Sequence, residues 1–218
     1  MDKNKLNEAL QKYQEAASNG DAQAQYNLGV AYGDCHNYEE AMKWWWLAAD
    51  QGVAAAKHNI AVNYYHGLGV DKNHEEAVKW WKMAAEEGDA DAQQMLAFMY
   101  ALGDGIEQDN NEAVKWWRIS ADQGNAHARY FLGLCYKEGR GVNQDNQEAL
   151  KWWQLAAMQD DADAQNALGW MYMHGIGVEY DAQKALKWLS LAAKQGQEHA
   201  KGNLAKLNEM LLNNTPLQ

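Results

Sequence analysis

Proline, cysteine and arginine are nearly missing from this 218-residue chain. A single proline, Pro216, leaves almost the whole length free of the residue that interrupts helices by removing an N–H and crowding the preceding turn. Three arginines (Arg118, Arg129, Arg140) among 19 basic residues stand against 30 acidic ones, a net charge of −11. Such a surface repels polyanions, and phosphate neutralisation supplies most nucleic-acid affinity, so nucleic acid and anionic membranes are excluded as partners. No run approaches the ~18 apolar residues that a membrane span needs. Residues 1–6 lead into a polar helix rather than an apolar signal core. These absences predict no membrane insertion and a cytoplasmic setting. A chain whose signal had already been cut would read the same and be periplasmic.

What is abundant is apolar matter (47%), 18 Gly and 11 Trp. The tryptophans are not scattered. Ala41, Ala77, Ala113, Ala149 and Ala185 are each followed by Lys at the second position and by Trp44, Trp80, Trp116, Trp152 or Trp188 at the third, 36 residues apart every time. A second aromatic follows (Trp45, Trp81, Trp117, Trp153; Leu189 in the last unit), then an Ala pair that only Ser120 breaks. These positions share one face of an α-helix, bulky rings beside small side chains, and predict close helix packing. Trp46 is an extra ring at a position otherwise Lys82, Arg118, Gln154 or Ser190, and is predicted to stay partly exposed.

Gly52, Gly88, Gly124 and Gly196 end this helix, with Asp160 departing from the pattern. A second helix type carries Ala, Leu or Ile, a small residue and Tyr in register, as in Ala92, Leu96, Ala97 and Tyr100. It ends at a Gly-x-Gly-apolar turn: Gly67–Val70, Gly103–Ile106, Gly139–Val142 and Gly175–Val178. Asn73 with Glu76, Asp109 with Glu112 and Asp145 with Glu148 read as capping boxes; the first unit has a shorter turn but keeps Asn37 with Glu40. The predicted fold is an all-α solenoid of antiparallel helix pairs, about 12 helices in one repeat domain spanning 1–218. It comprises a cap helix over 1–20, five repeats over 21–52, 53–88, 89–124, 125–160 and 161–196, a second cap over 197–212 and a tail, 213–218. The caps are atypical as end units require: Lys12 and Tyr13 stand where the Trp pair would be, and Asn208 where the Tyr would be.

These residues resemble the Sel-one-like repeat family, relatives of tetratricopeptide solenoids with the pattern A-x-x-x-L-G-x-x-Y-x-x-G-x-G-V-x-x-D-x-x-x-A-x-x-W-[YFW]-x-x-A-A-x-x-G. The resemblance covers nearly the whole chain and implies a right-handed superhelix. It also implies an adaptor or scaffold role, or that of an inhibitor neutralising a partner toxin, with the second helix type lining a concave face.

On that helix the residues six beyond the first Ala (Val30, Val62, Phe98, Leu134, Trp170) lie about 240° round from it, far from the core direction, where apolar side chains want covering. Either they pack against the next repeat or they meet a partner. Around them a variable set departs from the otherwise repeated pattern: Tyr26, His58, Gln94, Tyr130 and Asn166, then Asn27, Asn59, Met95, Phe131 and Ala167. The reading is a monomeric scaffold that binds a protein or peptide, with affinity from Phe98, Tyr130, Phe131 and Trp170. Selectivity comes from His58, Asn59, Asn63, Gln94 and Asn166, with Tyr26 on the same face. The alternatives are an immunity-type inhibitor and, less favoured, a hydrolase of a small amide or lactam.

No cofactor, metal or catalytic set is expected. His58, His66 and His74 recur every eight residues, but a Gly turn precedes the last and no Cys or carboxylate completes a metal set. The Gly-x-Gly turns follow no strand and lack a third Gly, so they end helices rather than cradle phosphate. Some relatives bind or hydrolyse β-lactams, yet none of Ser18, Ser120 or Ser190 has Lys three residues on. Those relatives also carry a disulfide per repeat. Here Cys35 and Cys135 lie about three repeats apart, beyond the ~7 Å that a disulfide allows, so two free thiols are expected.

Overall fold

The computed structural model describes residues 3–213, and the expected tail residues 214–218 lie outside it. Twelve α-helices and no strand occur among the described residues. They group into two compact units, residues 1–109 and 110–218. The first holds α1 (Lys3–Ser18), α2 (Ala22–Asp34), α3 (Tyr38–Asp50), α4 (Ala54–His66), α5 (His74–Glu86) and α6 (Ala90–Leu102). The second holds α7 (Asn110–Asp122), α8 (Ala126–Glu138), α9 (Asn146–Ala157), α10 (Ala162–His174), α11 (Ala182–Lys194) and α12 (Glu198–Asn213). Even-numbered α2–α10 are the Ala-Leu-Tyr helices; odd-numbered α3–α11 carry the tryptophans.

The two rings of each Trp pair have different tasks. The second, Trp45, Trp81, Trp117 or Trp153, is buried, as is Leu189. It lies in a notch opened by the small residue after Leu on the partner helix: a Cβ placed on Gly29 would sit 2.5 Å from the Trp45 ring, one on Gly133 2.5 Å from Trp153, and one on Gly169 2.5 Å from Leu189. The first ring is only half-buried. Trp44 packs on Ala17 of α1 and on Ala24 and Leu28 of its own repeat, and Trp80 on a cluster that includes Ala41 and Trp45 of the repeat before it and Ile60 of its own, so each spans the junction between neighbouring units of the stack. Emptying a buried Trp site costs ~3–5 kcal/mol, and adding bulk to the notch ~1–3 kcal/mol. Trp46, outside this register, is 38% exposed as expected.

The caps form half of the expected box. The Asn73 side chain accepts from the Glu76 amide at 3.1 Å, Asp145 from Glu148 at 3.1 Å and Asp181 from Lys184 at 2.9 Å. The reciprocal half is replaced, because the cap residue's own N–H already donates to the carbonyl of the repeat's Tyr: Asn73 to Tyr64 at 2.9 Å, Asp109 to Tyr100 at 2.9 Å, Asp145 to Tyr136 at 2.8 Å. The glutamates turn instead to the repeated Lys three residues on, Glu76 to Lys79 and Glu148 to Lys151.

A polar ladder that the sequence reading missed ties successive repeats. Gln25, Gln93 and Gln165, all buried, donate to the carbonyls of Ala17, Ala85 and Ala157 in the preceding helix end. Arg129 makes the same bond to Ala121 at 3.0 Å. Gln25 and Gln165 also accept from Gln51 and Gln195; where Lys57 takes the position, Glu87 is its partner.

The Gly-x-Gly turns join repeats as well. Gly67, Gly103, Gly139 and Gly175 are left-handed helix C-caps. The second glycine closes on the first residues of the preceding Trp helix: a Cβ on Gly105 (φ +68°) would lie 2.5 Å from the His74 carbonyl oxygen, and one on Gly141 2.2 Å from that of Asn110. Asp160 adopts the left-handed φ of +63° where other repeats use Gly. Gly105→Ala is expected to cost ~2–4 kcal/mol, conformational strain plus clash. Gly88→Ala (φ +96°, nothing within 4 Å) carries the strain alone. Thermal unfolding should therefore show the larger loss for Gly105→Ala; equal losses would remove the turn as an inter-repeat contact.

Candidate partner-binding face

On each even-numbered helix from α2 to α10 the face opposite the core is a stripe with a fixed profile. Its ends are mostly open: Gln23, Asp91, His127 and Asp163 at the N-terminal end, and Asp34, His66, Leu102, Glu138 and His174 at the C-terminal end, are exposed. Between them the predicted residues Tyr26, His58, Asn59, Gln94, Phe98, Tyr130, Phe131, Asn166 and Trp170 are all half-buried. Leu102, 67% exposed, was missed although it continues the Phe98 row by one helical turn. Asn63 is a correction. It is 3% exposed, because seven residues from Ala56 it returns to the core side of α4, so it is no contact residue.

In the first unit Tyr26 and Val30, both half-buried, pack against the core around Trp45. His58 stands 6.5 Å, ring to ring, from Trp81. Its Nδ1 is 3.8 Å from the Asp89 carboxylate, too far for a hydrogen bond, and has no other partner. Burial lowers its pKa from the ordinary 6.5, outweighing the opposing pull of Asp89 and Asp91. Nearby, His74 stacks on Tyr65 at 4.5 Å and pairs with Asp104.

In the second unit the rings form a connected array. Phe131 stacks on Trp117 at 5.5 Å and 15°, Tyr130 meets Phe131 edge-on at 5.0 Å, and Tyr130 lies 6.4 Å from Trp153, whose indole donates to the Tyr130 carbonyl at 2.9 Å. Tyr130, Leu134 and Trp170 all pack on the cluster around Ala149 and Leu168. Trp170 receives the Lys137 ammonium over its face at 5.2 Å and the His174 ring at 4.6 Å. Burial, then Asp163, Asp161 and Glu138, raise the Tyr130 pKa. Asn166 accepts from Asn203 at 3.0 Å. The aromatic residues thus serve both readings: part of each ring completes the core and part remains accessible.

No group of His, Cys, Asp and Glu suited to hold a metal occurs among the described residues. No described helix is long and apolar enough to cross a membrane. Cys35 and Cys135 are free.

A family model, Sel1 repeat, matches residues 22–53, 54–89, 90–125, 126–161 and 162–197. The chain belongs to the Sel1 repeat family. Its repeats are offset by one residue from the boundaries predicted above, and proteins of this family generally mediate protein–protein interaction. A solved structure of c5321, a protective antigen of uropathogenic Escherichia coli with the same repeat fold, is 34% identical over 96% of this chain and 45% of that one, with a TM-score of 0.87. A Sel1 repeat protein of Oxalobacter formigenes is 31% identical over 93% of this chain and 87% of that one, TM-score 0.81. An F-box protein of Arabidopsis thaliana, At1g70590, is 39% identical over 61 residues, 27% of this chain and 17% of that protein. The chain therefore spans less than half of the E. coli antigen and under a fifth of the plant protein.

Two measurements probe this region of the Sel1 chain. Unfolded His58 binds a proton at its ordinary pKa, whereas folded His58 binds one only at lower pH. Stability is therefore full above about pH 6.5 and falls as pH drops below it, by at most ~1.4 kcal/mol per pH unit from this group. Denaturant titrations across pH 7 to 5 should show a weaker dependence in His58→Gln; an unchanged dependence would refute the assignment. Burial also pushes the Cys135 thiol up to about 11. The native, unreduced protein should react slowly at Cys135 with a thiol reagent and yield two thiols once unfolded; fewer than two would contradict free cysteines.

Proposed function

We propose that the chain is a non-catalytic interaction module that holds a protein or peptide against the outward stripes of its even-numbered helices. One observation carries the reading. Among repeats whose Trp, Ala, Gly and Tyr are nearly fixed, the positions of Tyr26, His58, Gln94, Tyr130 and Asn166 differ in every pair of neighbours, while their backbone setting stays constant. Half-buried rings with one accessible edge add apolar contact at little entropic cost, since the core already orders them. Asn59, Gln94 and Asn166 supply hydrogen bonds that fix register. We place the protein in a reducing compartment, the cytoplasm, where both thiols persist.

A narrower form of this proposal, an inhibitor that masks a basic target, is favoured by the uneven charge. Residues 1–109 hold eight Lys and no Arg against eighteen Asp and Glu, a net of −10, whereas residues 110–218 hold eleven basic and twelve acidic residues, a net of −1. Steered association onto a basic partner slows steeply as salt rises, whereas contact through rings changes little.

Affinity capture with the immobilised chain should recover a protein partner, and each unit can be tested alone. Tyr130→Ala/Trp170→Ala in the second unit, or Phe98→Ala/His58→Ala in the first, should weaken binding about tenfold or more, provided circular dichroism shows the fold retained. Full binding by both variants would reject the stripes as the interface.

A further inference from the structure

Within the second unit, internal comparison exposes two departures that converge. In α3, α5, α7 and α9 the third helical residue is Glu (Glu40, Glu76, Glu112, Glu148), ion-paired with the Lys three residues on. In α11 this position is Lys184, and α11 carries three Lys and no acid. Lys184 reaches back to Asp181 at 3.2 Å and lies over the Tyr172 ring at 5.2 Å. Lys187 lies over Trp188 at 5.0 Å and has no carboxylate partner among the described residues. The second departure is at the end of α9. Where earlier repeats place Asp50, Glu86 and Asp122, this one has Met158, 75% exposed.

Both replacements line one hollow of about 270 Å³, formed by Gln154, Met158, Tyr172, Lys184, Lys187 and Trp188. Two acidic positions of the repeat have been lost there, one to a cation and one to a flexible thioether. The result is a basic, apolar recess in a chain of net charge −11, with no carboxylate in its lining. We infer that this recess docks an acidic segment of a partner protein: an apolar side chain enters among Met158, Tyr172 and Trp188, and flanking Asp or Glu carboxylates meet Lys184 and Lys187. Methionine adapts its shape to varied apolar groups, and ammoniums at the rim add specificity more than affinity, so the inserted side chain supplies most of the binding. The recess lies on α9, α10 and α11 and uses none of the stripe residues, so it stands apart from the function proposed above.

The test pans a displayed library of random peptides against the full chain and measures the enriched peptides by fluorescence anisotropy. Met158→Asp/Lys184→Glu restores residue types that other repeats carry in the same register, which preserves the fold; Lys187→Glu is the second variant. Enriched peptides should carry a large apolar residue flanked by Asp or Glu. They should bind either variant about tenfold or more weakly, and bind Tyr130→Ala/Trp170→Ala unchanged. Peptides without that signature, or peptides that bind Met158→Asp/Lys184→Glu as well as the parent, overturn the proposal. So does a concentration-dependent dimer in analytical ultracentrifugation that Met158→Asp/Lys184→Glu abolishes, which would assign the recess to a second copy.

Discussion

In three repeats a bulky side chain seated where another is missing sets the spacing of the helix pair, an indole in two of them and Leu189 in the last. Trp45 over Gly29 and Trp153 over Gly133 approach the partner helix to distances that any Cβ would forbid, and Leu189 over Gly169 does so without an aromatic ring, whereas α4, the partner of the Trp81 helix, carries Ala61 at that position. Van der Waals contact of this kind is short-ranged and unforgiving, so it fixes the spacing between the two helices of a pair. Trp80 and Trp188, the outer members of their pairs, then reach the core clusters that hold Trp45 and Trp153 of the preceding repeat. Each hairpin consequently buries its apolar face only when a neighbour is present, which is why the unit recurs.

With the repeated packing assigned to these few positions, the outward stripe of the even-numbered helices is free to vary in residue type even where its rings also pack on the core. His58, Gln94, Tyr130 and Asn166 occupy equivalent backbone settings yet comprise an imidazole, a phenol and two carboxamides of different length. The hydrogen-bonded helix ends are mostly independent of it. The cap amides are satisfied by the tyrosine carbonyls and the Ala carbonyls by Gln25, Gln93, Arg129 and Gln165, and of the stripe residues His127 reaches a helix end, at the α10 cap Asp161, and Asp163 another, at Gln197.

Much of this was legible in the sequence because periodicity reports packing. A 36-residue recurrence of Ala-x-Lys-Trp fixes the helix faces, and the Gly-x-Gly turns mark the helix ends. Other features depend on distances that spacing does not encode. Asn63 is the exception that spacing did encode: seven residues from Ala56, it shares the register of buried Met99, Cys135 and Met171, and only its polar side chain suggested the surface. Gln25, Gln93 and Gln165 drew no attention in the sequence, because their task is to cap a helix that ends eight residues earlier. Lys57 with Glu87, in place of Gln with Gln, was the available hint: two positions about thirty apart that change charge together. The half-burial of Tyr130 and Trp170 was equally hidden, since a ring can complete a core and still offer an edge.

The central claim is that the repeat's fixed residues build the stack while its variable stripe meets the partner. Hydroxyl-radical footprinting of the chain with and without its captured partner tests this most directly, because oxidation reads side-chain access at single residues with no substitution in the chain. Protection should fall on Phe98, Leu102, Tyr130, Phe131 and Trp170, leaving Trp46, Met83 and Ile119, exposed residues of the odd-numbered helices α3, α5 and α7, as reactive as in the free chain. Protection of Met83 and Ile119 with the stripe unchanged would contradict it.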